Sequence, residues 1–199
     1  MKFFTGLAFL LLSLNANAAF ITFDESSLEG HGLQASRGWG GYNVTNVGLG
    51  LEVFGNYWVS LAPIDVATLS NSVLSFEFMT NNVGEINGIG FDNDGEIRTG
   101  GLVFDFGGTQ KYGNQDFARS LSAGVWYNIT IDLANYDLTG FNRMLFIADQ
   151  DQENTNTDSN FRNLIVTTPT SLVDVPAPGT AMIFGLALAA LSLTGRRKV

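Results

Sequence analysis

Val125-Trp126-Tyr127-Asn128-Ile129-Thr130-Ile131-Asp132-Leu133 alternates without a break. In an extended chain, Val125, Tyr127, Ile129, Ile131 and Leu133 fall on one side. Trp126, Asn128, Thr130 and Asp132 fall on the other, because successive side chains of a strand point to opposite faces. The stretch is therefore a strand with one face buried. Leu74, Phe76 and Phe78 against Ser75 and Glu77 repeat the pattern, as do Leu102, Phe104 and Phe106 against Val103 and Asp105. Shorter strands are expected at Phe20 to Phe23, Leu49 to Phe54, Tyr57 to Leu61, Gly84 to Phe91, Arg143 to Ala148 and Phe161 to Thr167. Turn clusters separate them: Gly38-Trp39-Gly40-Gly41, Asp92-Asn93-Asp94-Gly95 and Gly107-Gly108. Only Asp65 to Ser70 has the look of a helical turn. Many short strands with Gly-rich turns and no long helix predict an all-β fold, an antiparallel β-sandwich of the jelly-roll kind.

Composition narrows the chemistry. The 199 residues contain no Cys and a single His. That excludes a disulfide framework, a thiolate metal site, a Cys nucleophile and a multi-His zinc or iron centre. A formal charge of −9 excludes a nucleic-acid binder, which needs a basic surface to displace counterions from phosphates.

The two ends are set apart from the strands. Lys2, the apolar run Phe3 to Leu14 and the small-x-small triplet Ala16-Asn17-Ala18 form a secretory signal peptide over 1–18, with Ala19 opening the exported chain. Val175-Pro176-Ala177-Pro178-Gly179-Thr180 breaks secondary structure, and Ala181 to Thr194 then runs without a charge into Arg196, Arg197 and Lys198. Ala181 to Gly195 as helix is about 22 Å long, a short membrane span whose basic end stays cytoplasmic. The division is signal 1–18, sandwich 19–166, linker 167–180 and membrane segment 181–199. Residues 19–174 hold six basic against 19 acidic side chains, a net −13. A domain of this size can bury one substantial core.

Chemistry has to come from the loops and faces. Asp92 and Asp94, then Asp149, Asp151 and Glu153, offer hard oxygen donors at spacings that suit Ca²⁺ in an irregular loop, and neither is an EF-hand. Asn154, Asp158 and Asn160 could add donors, and Asp24 and Glu25 are a third acidic pair. The same residues are also ordinary turn formers. Glu77 and Glu85 could be imagined as a glycosidase pair, but Glu77 lies on the polar face of its strand, where solvent is its natural partner. His31 sits between glycines with no G-x-S-x-G elbow in the chain, which predicts a surface histidine. Flat aromatic rings on a polar surface stack on pyranoses, and Trp39, Tyr42, Tyr57, Trp58, Tyr112, Trp126 and Tyr136 are the candidates. Trp126 stands out because it opposes the apolar face of its own strand, and Trp58 has the weaker claim. Trp39, Gln110, Tyr112 and Trp126 form the expected ligand set.

The tail, from the Pro176-Ala177-Pro178-Gly179-Thr180 turn through the short apolar span to Arg196-Arg197-Lys198, resembles the PEP-CTERM sorting signal of Gram-negative bacteria, with Ala177 where Glu is usual. The resemblance implies processing by an exosortase, transient membrane anchoring, and a final place at the cell surface or in the extracellular matrix. Four ordered segments, Gly84 to Asp94, Gly108 to Gly113, Phe141 to Asp151 and Asn160 to Asn163, resemble a non-catalytic module appended to secreted polysaccharide-degrading enzymes and similar to jelly-roll carbohydrate-binding modules. That resemblance implies an exported, non-enzymatic protein that binds polysaccharide or exopolysaccharide. Two other readings stand beside it: a structural matrix protein without specific glycan binding, and a small glycoside hydrolase or lyase.

Overall fold

The computed structural model describes residues 16–32, 39–95, 101–152 and 156–169. The signal core, the Pro-x-Pro-Gly-Thr turn with Pro176, Pro178, Gly179 and Thr180, the membrane segment with Arg196, Arg197 and Lys198, and Glu153 and Asn154 lie outside the described residues. One compact unit spans Ala16–Pro169.

The described residues form eleven strands: β1 Ala16–Phe20, β2 Leu28–Gly30, β3 Gly40–Thr45, β4 Gly50–Gly55, β5 Tyr57–Leu61, β6 Val73–Met79, β7 Ile86–Asp92, β8 Leu102–Gly107, β9 Tyr127–Asp132, β10 Arg143–Asp149 and β11 Asp158–Pro169. They form two sheets. One runs β3-β4-β11-β6-β9 with β1 added alongside β11, and the other runs β2-β5-β10-β7-β8. Every strand pair is antiparallel. The expected β-sandwich is therefore what forms, and the helical element near Asp65 is a short 3-10 turn at Val66–Leu69.

The core lies between the sheets. Leu51, Val53, Leu74, Phe76, Phe78, Ile129, Ile131 and Phe161 face Val59, Ile89, Phe91, Phe104, Phe106, Met144 and Phe146. Phe78 meets Phe106 across the gap at 4.9 Å and Phe161 meets Phe146 at 5.1 Å between ring centroids, so interdigitated rings join the layers. Each large apolar side chain buried here contributes about 1.5–3 kcal/mol, which is why period-two runs dominate the sequence.

Four local expectations change. Gly40 and Gly41 lie inside β3, not in a turn, because glycine lets the edge strand press closely on its neighbours: a Cβ on Gly40 would stand 2.7 Å from the Phe54 carbonyl oxygen. The first strand is Ala16–Phe20, upstream of the expected Phe20 to Phe23, and it includes both small residues of the cleavage triplet, Ala16 and Ala18. β11 continues to Pro169, into the stretch read as linker. Val103 and Asp105 are buried together with Phe104 and Phe106, and Leu102 is half-buried, since β8 is covered on both faces.

Candidate functional site

The sandwich has two outer faces, and they differ. On the five-stranded sheet, Trp58, Ile86, Val103, Leu145 and Ile147 form a second buried apolar cluster with Tyr112 laid against it. Asp105 organises the covering segment: its carboxylate accepts the N–H of Gly107 at 3.0 Å, the N–H of Tyr112 at 3.4 Å and Nε2–H of Gln115 at 3.0 Å. Tyr112 thereby comes edge-on to Trp58, 5.7 Å between centroids. Burial, then the nearby carboxylates of Asp149 and Asp92, hold the Tyr112 phenol above its ordinary pKa. The ring is a neutral packing element of a closed face.

His31 is part of the same layer. It is 1% exposed, against the expected surface position, because Gly30-His31-Gly32 turns it onto the Trp58 indole at 6.1 Å and brings Nε2 to 3.4 Å from Asp92 Oδ2. Trp58 in turn donates its indole N–H to Asp149 Oδ1 at 3.2 Å.

These contacts bear on the calcium set. Asp92 and Asp149 are buried at the ends of β7 and β10, where they bind His31, the Gly95 N–H and Trp58. Asp151 is exposed, accepts from Asn56 Nδ2 at 3.2 Å and donates its own N–H to Glu85. Asp94 is exposed as well. Among the described residues, no three His, Cys, Asp or Glu side chains come together in a way that could hold a metal ion. Asp24 caps a 3-10 turn through the N–H and hydroxyl of Ser26, which hold its carboxyl below the usual range.

The outer face of the six-stranded sheet is open and polar. Pairing register sets its rows: Gly41, Phe54 and Asp158; then Asn43, Glu52, Asn160 and Met79; then Thr45, Gly50, Arg162, Glu77 and Asn128. Arg162 forks onto Glu77 with N–O distances of 2.9 and 3.0 Å, and Asn163 adds a third donor at 2.7 Å. Asn163 reaches Glu77 because it sits at φ 54° in the bulge where β11 changes register. These hydrogen bonds hold Glu77 below its ordinary pKa, so at neutral pH it is a carboxylate and not a proton donor. Trp126 does lie on this face, but the Arg162 guanidinium covers one side of its ring at 3.8 Å.

At the end of this face is an open cleft of about 610 Å³ lined by Trp39, Gly40, Glu52, Phe54, Gly55, Asn81, Asn82, Asn156, Thr157 and Asp158. Phe54 is 37% exposed and its ring lies across Gly41, where a Cβ would stand 3.1 Å from the ring edge. Asp158 is buried and accepts from the backbone and side-chain nitrogens of Asn81 and Asn82 and from Asn160, which fixes the loop that forms the far wall. Of the expected ligand set, only Trp39 lines this cleft. Gln110 lies in a separate open cleft with Lys111, Gln115 and Arg119. Phe54, Glu52, Asn81 and Asn82 escaped the sequence reading. For Phe54 the signal was present: with Leu51 and Val53 inward, it is an aromatic residue at an outward position.

No protein-family model matches the sequence, and no curated protein matches it. Among solved structures, the chain is similar to one titled "Crystal Structure of Family 30 Carbohydrate Binding Module", at 16% identity over 70% of this chain and 78% of that chain, with a TM-score of 0.40. A likeness at that level transfers neither ligand nor site.

Proposed function

We propose that the chain is an exported, non-catalytic jelly-roll protein that binds polysaccharide on the outer face of its six-stranded sheet. One observation carries the reading: Trp39 and the exposed Phe54 line an open cleft together with Gly40, Gly55, three asparagines, Thr157 and two carboxylates. A pyranose offers an apolar C–H face and a rim of hydroxyls, and this pairing of flat rings with fixed amides meets both. On the opposite face Trp58 and His31 are buried and Tyr112 is half-buried against them. The signal peptide and the sorting-signal-like tail support delivery to the surface or matrix through an exosortase. Asp92 and Asp149, engaged with His31, Gly95 and Trp58, stand at the ends of strands of the other sheet and do not line this cleft.

The test is a glycan array probed with the full chain, its Trp39→Ala form and its Phe54→Ala form. Binding to one glycan class, weakened about tenfold or more by either change, supports the reading, since stacked rings contribute on the order of 1–3 kcal/mol. A folded protein that is blank on every glycan would favour the structural matrix protein instead. N-terminal sequencing of the exported form should begin at Ala19.

A further inference from the structure

Resting on that reading of the cleft, we infer that its ligand carries protonated amines: a polysaccharide of deacetylated amino sugars, not a neutral or acidic one. The direction of the asparagines carries the argument. Asn43 donates Nδ2–H to Glu52 Oε2 at 2.9 Å, Asn81 and Asn82 each donate theirs to Asp158 at 3.2 Å, Asn160 to Asp158 at 2.6 Å, and Asn163 to Glu77 at 2.7 Å. In every case the NH₂ group is turned onto a carboxylate, so the amide oxygen points away from it. An amide oxygen has two lone pairs, whereas each engaged NH₂ keeps one hydrogen. Asn81 and Asn82 line the cleft and the other three lie farther along the same face, so these five amides offer more acceptors than donors.

Charge has the same sense. None of the described residues lining the cleft is basic. Arg162, the cation farther along the face, is matched by Glu77. Glu52 lines the cleft with only one of its oxygens engaged among the described residues, and residues 19–174 carry −13 overall. Sugar hydroxyls donate or accept and are satisfied by either kind of surface. An ammonium group only donates and is positive, which fits this face, while a uronate carboxylate only accepts and is repelled.

The full chain would be titrated with hexamers of β-1,4-linked glucosamine, of N-acetylglucosamine and of galacturonate, at about pH 5.5 and about pH 9, either side of a typical amine pKa. The glucosamine hexamer should bind about two- to fivefold tighter than its acetylated form at the lower pH, the scale of a partly exposed ion pair. That preference should shrink at the higher pH and in about 0.3 M salt. Glu52→Gln should bring the ratio toward one, and galacturonate should not bind. Hexalysine serves as the control for attraction to the acidic surface as a whole. Equal binding of hexalysine, equal affinity for the two amino-sugar hexamers, or a preference for galacturonate would each overturn the inference while leaving glycan binding in place. Failure of every glycan to bind would remove the underlying reading, and the inference with it.

Discussion

The Arg162 guanidinium lies over the Trp126 indole at 3.8 Å while it forks onto Glu77 through two N–O contacts of 2.9 and 3.0 Å. A planar cation that stacks with one surface and chelates with its edge is held at both, which makes the three side chains a single plate on the open face. Trp126 is the residue whose outward position looked most like a sugar platform, and the plate gives that ring a partner from within the chain.

It follows that Trp126→Ala should leave glycan affinity within about twofold, whereas Trp39→Ala weakens it by about tenfold or more, the spread seen between peripheral and central contacts. Calorimetric titration of both variants against the same glycan decides the matter. A loss at Trp126 equal to that at Trp39 would move the site from the cleft to the plate.

The plate also has a pH signature. Glu77 is held below its ordinary pKa by Arg162 and Asn163. A carboxyl lowered in the folded state contributes stability that is fully present above its unfolded pKa, about 4.3, and is lost as pH falls through the folded value. The melting temperature should therefore fall on acidification below about pH 4.3, and fall less steeply in Glu77→Gln. Asp24 and Asp137, also lowered by local hydrogen bonds, act in the same direction, so the variant should keep part of the slope. A slope identical to that of the parent would show that the Arg162 pairing adds nothing in solution.

The closed face makes a different prediction. Trp58 is fully buried and its indole N–H is a donor to the buried Asp149. Trp58→Phe keeps an aromatic ring but removes that donor, leaving a carboxylate short of a partner, at a cost of about 1–3 kcal/mol in denaturant unfolding. Asp149→Asn should cost a similar amount, and the two changes together should cost less than their sum. Full additivity would mean that the hydrogen bond carries no stability.

Alternation made the sandwich legible, because burial of one face imposes period two on Val73–Met79 and Tyr127–Asp132 directly. It failed at Leu102–Gly107, where Val103 and Asp105 are covered by a segment that pairs with no full strand and so leaves no periodic trace. It also missed Leu28–Gly30 and Gly40–Thr45, since three residues are too short for a pattern and a glycine-led edge strand has few apolar side chains. Trp39 could be singled out by residue type. Asn81 and Asn82 could not, because their place in the cleft depends on Asp158, more than seventy residues away, drawing their loop onto the end of β11.

Asp158 is consequently the residue on which both stability and binding should turn. It is buried, and its two oxygens accept from both nitrogens of Asn81, both nitrogens of Asn82 and the side chain of Asn160. Asp158→Asn replaces one oxygen with an NH₂ group that faces N–H donors, so donors oppose donors and at least one of them loses its acceptor. The expected cost is about 2–4 kcal/mol, from the lost charge-assisted bonds and the buried groups left unmatched. Because the same bonds hold the cleft wall, glycan affinity should fall even under conditions where the variant is fully folded. Asp158→Ala takes the acceptor from all of these donors, so it should be at least as destabilising as Asp158→Asn, with binding weak as well. Unfolding curves and glycan titrations on the two variants supply both quantities, and an Asn variant that binds as tightly as the parent would show that the Asn81–Asn82 wall takes no part in recognition.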